Sequence, residues 1–239
     1  MAQVYHGKNP NQNKQWHYLW ISIILFIPLA IYMVAFFINP AKNHFNGFYH
    51  LLPMIFFGWP AAYFYQKYRR LASGISGENT ATKALAALPD DYSVFTNVHL
   101  SDGQKRCEID AVLVGPKGVF AIEVKGHNGI IEGSHDQENW TQHKVGRKGG
   151  EYSNSIKSPI RQLNRNIYFL ANYYKQKNIN AWINGIVAFS TAEQLNVFSP
   201  NVPVVTTYDL QHVISAHQPR RLLNPEEIRQ VIGATLAAL

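Results

Sequence analysis

The stretch whose reading decides the fold is Lys105–Gly126, KRCEIDAVLVGPKGVFAIEVKG. Two apolar runs flank Gly115-Pro116-Lys117-Gly118, a composition suited to a tight turn joining antiparallel strands. With the turn centred on Pro116 and Lys117, Asp110 falls opposite Glu123 and Glu108 opposite Lys125. Directly opposed residues share a face, with Cβ atoms about 5 Å apart, and alternation along the strand puts Glu123 and Lys125 on that same face. Register alone therefore gathers three carboxylates and a lysine into one patch. Val112, Val114, Val119 and Ala121 share its face, while Ile109, Ala111, Leu113, Phe120, Ile122 and Val124 line the other. A strand pair apolar on both faces is a core element. The charges are expected at the end of a buried sheet.

Working outward, ENTATKALAAL (Glu78–Leu88) favours a helix that stops at Pro89, and YSVFTNVHL (Tyr92–Leu100) reads as a strand. Weaker strands are expected over Gly129–Glu132 and Trp140–His143. A helix over Ser158–Tyr174 precedes a buried strand, Ile183–Phe189. One more strand, Val202–Val205, leads to helices over Tyr208–Ala216 and Pro225–Leu239. This order predicts an α/β domain, a mixed central sheet flanked by helices, over residues 78–239.

Upstream the chain changes character. Up to Arg70 there are six basic residues (Lys8, Lys14, Lys42, Lys67, Arg69, Arg70) and no acidic one, so +6 of the net +7 belongs to the first seventy residues. The basic balance is therefore no sign of a nucleic-acid partner. Leu19–Ile38 is twenty residues without a formal charge, about 30 Å as a helix, which matches a bilayer core. A second uncharged run, Phe45–Gln66, is interrupted by Asn46, Gly47, His50, Pro53, Gly58 and Pro60, and prolines are tolerated in membrane helices. A transmembrane hairpin over residues 1–70 is expected, with a lipid bilayer as partner and a Gly/Ser linker at residues 71–77. Lys8 and Lys14 precede the first span and Lys67, Arg69 and Arg70 follow the second, so both ends are expected in the cytoplasm, on the inner membrane. A signal peptide would have a shorter apolar region and a small-residue cleavage site, which Ile38-Asn39-Pro40 does not supply. A single cysteine, Cys107, excludes an intramolecular disulfide, and no Cys/His cluster has zinc-ligand spacing.

Two carboxylates held as close as Asp110 and Glu123 need a proton or a cation between them. The plainer reading of this pattern is a solvated strand end with cross-strand salt bridges. Ile109-Asp110, Val114-Gly115-Pro116, Gly118-Val119, Ile122-Glu123-Val124-Lys125, Glu78 and the Pro159/Gln162 pair together resemble the nuclease-related domain (NERD) family of the restriction-endonuclease-like PD-(D/E)XK superfamily. The resemblance covers roughly residues 77–189. It implies metal-dependent phosphodiester hydrolysis with Mg²⁺ or Mn²⁺ held by Asp110, Glu123 and the Val124 carbonyl. Lys125 would activate water and meet the phosphate, Gln162 would support the site, and Glu78 is a further candidate that equally fits a favourable helix N-terminal contact. The chain departs from the family pattern at Ser158, commonly Asn, and at Gly126-His127-Asn128 after the lysine, where His127 is a candidate for touching substrate.

A nuclease also has to hold a phosphate backbone. Lys144, Arg147, Lys148, Lys157, Arg161 and Arg165 lie within one segment whose only acid is Glu151, and Arg161 and Arg165 share a helical face. Gly146, Gly149 and Gly150 are expected to form a flexible loop in it. Trp140 and Tyr152 are candidates for stacking on bases, with packing against the sheet the alternative for Trp140. DNA is placed ahead of RNA as the nucleic-acid partner. The rivals are a catalytically inactive, membrane-tethered nucleic-acid-binding module and a protein-interaction scaffold on the same fold.

Overall fold

The computed structural model describes residues 1–38, 51–101, 103, 105–146, 148–219 and 221–239. It divides into two compact units. One comprises Met1–Lys8 with Ser76–Leu239, and the other comprises Asn9–Ile75.

The larger unit is built on a six-stranded mixed sheet and a four-stranded sheet. The strands are β1 (Gln3–His6), β2 (Ser93–Ser101), β3 (Arg106–Gly115), β4 (Gly118–Lys125), β5 (Gly129–Ser134), β6 (Asn139–Val145), β7 (Glu151–Lys157), β8 (Ile183–Phe189), β9 (Ala192–Phe198) and β10 (Val204–Thr206). The large sheet runs β1-β2-β3-β4-β8-β10 and the small one β7-β6-β5-β9. Helices α3 (Pro159–Gln176), α4 (Leu210–Ala216) and α5 (Pro225–Leu236) belong to this unit, as does the C-terminal end of α2 (Trp59–Ala86).

The deciding hairpin has the expected register, from Gly115↔Gly118 to Ala111↔Ile122. Its two faces feed separate cores. On one side Val112, Val114, Val119 and Ala121 pack with Leu163, Leu170 and Tyr174 of α3; on the other Ala111, Leu113, Phe120, Ile122 and Val124 pack with Leu85 of α2 and Leu210 and Ile214 of α4. α3 earns its place by periodicity: Ile160, Leu163, Asn166, Phe169, Leu170 and Tyr174 are its buried stripe. It makes the crossover that lets β8 run parallel to β4.

Ile109 departs from expectation, since it packs on the α3 side with Val112 and Val114. The cause is a paired irregularity. Between β2 and β3 the rungs run Thr96↔Ala111 and then Val98↔Ile109, with none for Asn97 and Asp110, and Asn97 adopts a left-handed φ of 53°. Beyond that point both strands turn over, so Val98, Leu100, Cys107 and Ile109 all face α3.

Residues 71–77 form no loop linker; they are helical within α2. Gly77 is packed tightly there, since a Cβ on it would sit 2.6 Å from Ser190 Oγ, and the Ser76 carbonyl accepts the Thr80 hydroxyl. β1, β7 and β9 were not foreseen. β1 is four residues long and gains its place by parallel pairing with β2 and by stacking of Tyr5 on Phe95 at 5.1 Å. β7 is mostly exposed and polar and carries little hydrophobic alternation to read, while β9 is a strand whose Ala192, Leu195 and Val197 are only partly buried against the core. Trp140 is core: it is 1% exposed, stacks near Phe189, and donates its indole N–H to the Ser134 carbonyl at 2.8 Å. A Cβ at Gly133 would lie 2.3 Å from the Trp140 ring. Gly133→Ala is therefore expected to destabilise the domain by about 1–3 kcal/mol, read as a lowered melting temperature of the full chain.

In the smaller unit, α1 (Pro10–Ile38) is long and apolar enough to cross a membrane, with a mean hydropathy of 2.7 over its best window, and is the only such helix among the described residues. The second expected span does not stand as a helix of that kind. Part of it falls in residues 39–50, outside the described residues, and the rest carries a π-helical turn at Met54–Gly58. Small residues let this turn and α2 approach α1 closely: Ser22 donates to the Ala61 carbonyl at 2.9 Å, and a Cβ on Gly58 would be 3.1 Å from Leu29.

Candidate active site

Asp110 sits where two ladders fail at once. The β2–β3 pairing skips it, and the β3–β4 pairing ends one residue earlier. Its carboxylate takes over the missing rung, accepting the Val124 N–H at 2.7 Å. The expected Asp110–Glu123 neighbourhood therefore forms through a side chain instead of through strict cross-strand pairing.

Glu123 is 1% exposed and has both oxygens engaged. Oε1 accepts the Lys125 ammonium at 2.6 Å, and Oε2 accepts the Asn166 amide at 3.0 Å. Lys125 also donates to Gln162 Oε1 at 3.0 Å, so α3 reaches the site through two side chains one helical turn apart. Asn166 is fully buried; it also donates to the Glu108 carbonyl at 3.3 Å and accepts the Cys107 thiol at 3.1 Å. Sequence reasoning missed Asn166, although its spacing from Gln162 places both on one helical face.

Other expected members lie elsewhere. Glu108 does not meet Lys125, because the β3–β4 ladder stops first; its carboxylate lies 4.0 Å from His99. Glu78 is inside α2, not at a helix N-terminus, so the dipole reading does not hold for it. It is one residue from Gly77, whose Cβ position lies 3.8 Å from Gly126, just past the end of β4. Ser158 precedes α3, with its hydroxyl buried and lacking a hydrogen-bond partner.

The basic residues divide. Arg161 is exposed and paired with Glu138 at 2.9 Å, whereas the charge of Arg165 reaches Glu123 and Cys107. Lys148 lies in the β6–β7 connection, Lys157 ends β7, and Lys144 is on β6 near enough to act on His127. The glycine loop is the tip of this hairpin, closed by a 2.7 Å bond from the Gly146 N–H to the Gly150 carbonyl. Arg147 lies outside the described residues.

Burial pushes the carboxyls of both Asp110 and Glu123 upward, and the charge of Asp110 adds to the rise at Glu123; the Val124 N–H and the Lys125 ammonium offset part of it. Burial also raises the Cys107 thiol, to about 11, and lowers His127, on which Lys125 and Lys144 act in the same direction. A carboxyl that binds its proton more tightly when folded makes the fold less stable once that proton is lost. Without divalent metal, this contribution is absent below the unfolded value near pH 4, grows as pH rises through about 6 and about 8, and is complete above that. Glu123→Gln is expected to flatten the decline, so chaotrope denaturation in chelator at pH 5 and pH 8.5 should show the variant gaining on the wild type at the higher pH.

The donor set fits a hard divalent cation. It consists of carboxylate oxygens held together against their repulsion, with no sulfur ligand placed to compete. Among the described residues no third His, Cys, Asp or Glu joins these two carboxylates in a cluster.

A half-buried Asp, a Glu-x-Lys strand and an amide-bearing helix thus meet at one end of the mixed sheet of this α/β domain. Residues 73–190 match the family model of the nuclease-related domain. The chain is also 26% identical to an uncharacterized protein of Bacillus anthracis over 167 residues, 69% of this chain and 76% of that one. No solved structure matches the chain significantly.

Proposed function

We propose that the chain is a membrane-anchored, Mg²⁺- or Mn²⁺-dependent nuclease that hydrolyses phosphodiester bonds in DNA. The observation that carries this reading is the convergence of Asp110, Glu123, Lys125, Gln162 and Asn166 at the C-terminal end of β4. Asp110, Glu123 and the Val124 carbonyl would hold the cation, which supplies a water-derived nucleophile at neutral pH and neutralises charge on the phosphate. Asn166 fixes one oxygen of Glu123 and so orients the other. Lys125, carried by a strand and steadied by Gln162, is partly exposed at 22%, so its ammonium can turn to the attacking water and the phosphate oxygens. His127, whose neutral form is favoured by burial and by the ammonium groups of Lys125 and Lys144, can hydrogen-bond substrate.

Anchoring rests on α1 together with the chain path. Met1–Lys8 and Ser76–Leu239 belong to one unit, so a segment that enters the bilayer between them has to return to the same side. An even number of crossings follows, which supports the hairpin reading, and the flanking lysines and arginines favour the cytoplasmic side for both ends.

The test uses the full chain in detergent, because a fragment starting at Leu71 would remove β1 from the sheet edge. Labelled single- and double-stranded DNA and RNA are incubated with Mg²⁺, Mn²⁺ or chelator. Metal-dependent cleavage of DNA ahead of RNA is the expected result. A folded chain that leaves every substrate intact removes the enzymatic reading and favours the binding module.

A further inference from the structure

The β6–β7 hairpin puts an aromatic ring and an ammonium group beside the site. Lys144 and Tyr152 are directly opposed across the hairpin, so they share a face of the small sheet. Gln142 and Trp140, two and four residues back along β6, alternate onto that face and are buried, and Gln142 donates to the Asn128 carbonyl at 2.7 Å. This face therefore turns toward residues 126–129, the continuation of the strand that ends in Lys125. Its inner part is core, but its outer end is open: the Tyr152 ring is 49% exposed. The Lys144 stem runs within 3.5 Å of the Cβ position of Gly129. A cavity of about 420 Å³ lies at this end of the hairpin, walled by Asn128, Lys144, Tyr152 and Glu193 and also by Glu151 and Ser153, which alternate onto the other face of β7.

We infer that this cavity takes one unpaired nucleotide of a single strand that passes the carboxylate site, and that the substrate is accordingly single-stranded or frayed nucleic acid. This rests on the nucleic-acid part of the proposed function. The size suits a small ligand. Tyr152 offers a stacking surface that a base exposes only when unpaired, and Lys144 offers one phosphate contact. Glu151, Glu193, Ser153 and Asn128 supply hydrogen-bonding groups for a base edge. The two carboxylates also oppose a second phosphate backbone, which a duplex would bring.

The experiment measures binding of the full chain in detergent and chelator to a fluorescent single-stranded oligodeoxynucleotide and to its blunt duplex. Tyr152→Ala is expected to weaken single-strand binding by roughly 5- to 100-fold and to leave duplex binding unchanged, with Tyr152→Phe close to wild type. Lys144→Ala is expected to reduce the single-strand salt slope by roughly 0.7. Equal losses for both ligands, no loss, failure of Tyr152→Phe to restore binding, or a wild type that binds no single strand would each overturn the inference. Because chelator stops metal-dependent cleavage, the two claims fail separately. Tyr152-dependent binding without any nuclease activity retains this site and removes the enzyme, whereas cleavage indifferent to Tyr152 does the reverse.

Discussion

Replacing Glu123 by alanine is expected to lower metal-dependent cleavage roughly a thousandfold or more, because a metal's stabilisation of transition-state charge is worth several kcal/mol. The geometry explains why so much hangs on one side chain. Glu123 bonds both Lys125 and Asn166, and it shares the site with Asp110. Its removal deprives the cation of a ligand and leaves the lysine without its anchor. Its loss strands contacts at Lys125 and Asn166, and removing a buried carboxylate whose ionisation works against folding offsets part of that cost. Single-turnover cleavage together with a melting curve separates these effects: activity falls by far more than any drop in the melting temperature in chelator accounts for.

Asn166→Ala is expected to damage both stability and activity. The side chain is fully buried and joins Cys107, the Glu108 carbonyl and Glu123. Its loss leaves buried groups without partners, at about 1–3 kcal/mol for each one stranded. It also frees Glu123 to rotate, and losing a partner that orients a metal ligand typically reduces activity or metal affinity by roughly 10- to 100-fold. As a positioning residue, Asn166 should show its effect in the metal dependence: the variant needs more Mn²⁺ to reach half-maximal rate. A purely structural role would lower the melting temperature and leave that concentration unchanged.

Much of the architecture was legible because the hairpin announces itself. Glycine and proline at 115–118 set the turn, and apolar residues on both faces required a covered sheet. The same register reading brought Asp110 beside Glu123, although the ladder stops at Ala111 and the Asp110 carboxylate joins β4 through the Val124 N–H. What escaped were features set by tertiary contacts. The missing rung at Asn97 and Asp110, which turns Ile109 to the α3 side, depends on two strands failing together. β1 depends on a partner far along the chain, and β7 is held by pairing more than by buried side chains. The glycines and serines of residues 71–77 read as a linker, yet Gly77 serves close packing against Ser190 within a helix. Glu108 showed the limit of register arithmetic, because it assumed a ladder that ends at Ala111.

The most direct test of the metal-nuclease site is single-turnover cleavage of labelled DNA by the full chain in Mn²⁺, with the wild type and Asp110→Asn purified in parallel. Asp110→Asn keeps the side chain's size while removing the charge expected to bind the cation. The account predicts cleavage by the wild type that chelator abolishes and that falls at least a hundredfold in the variant, with both proteins equally folded. Equal cleavage by the two proteins would contradict it.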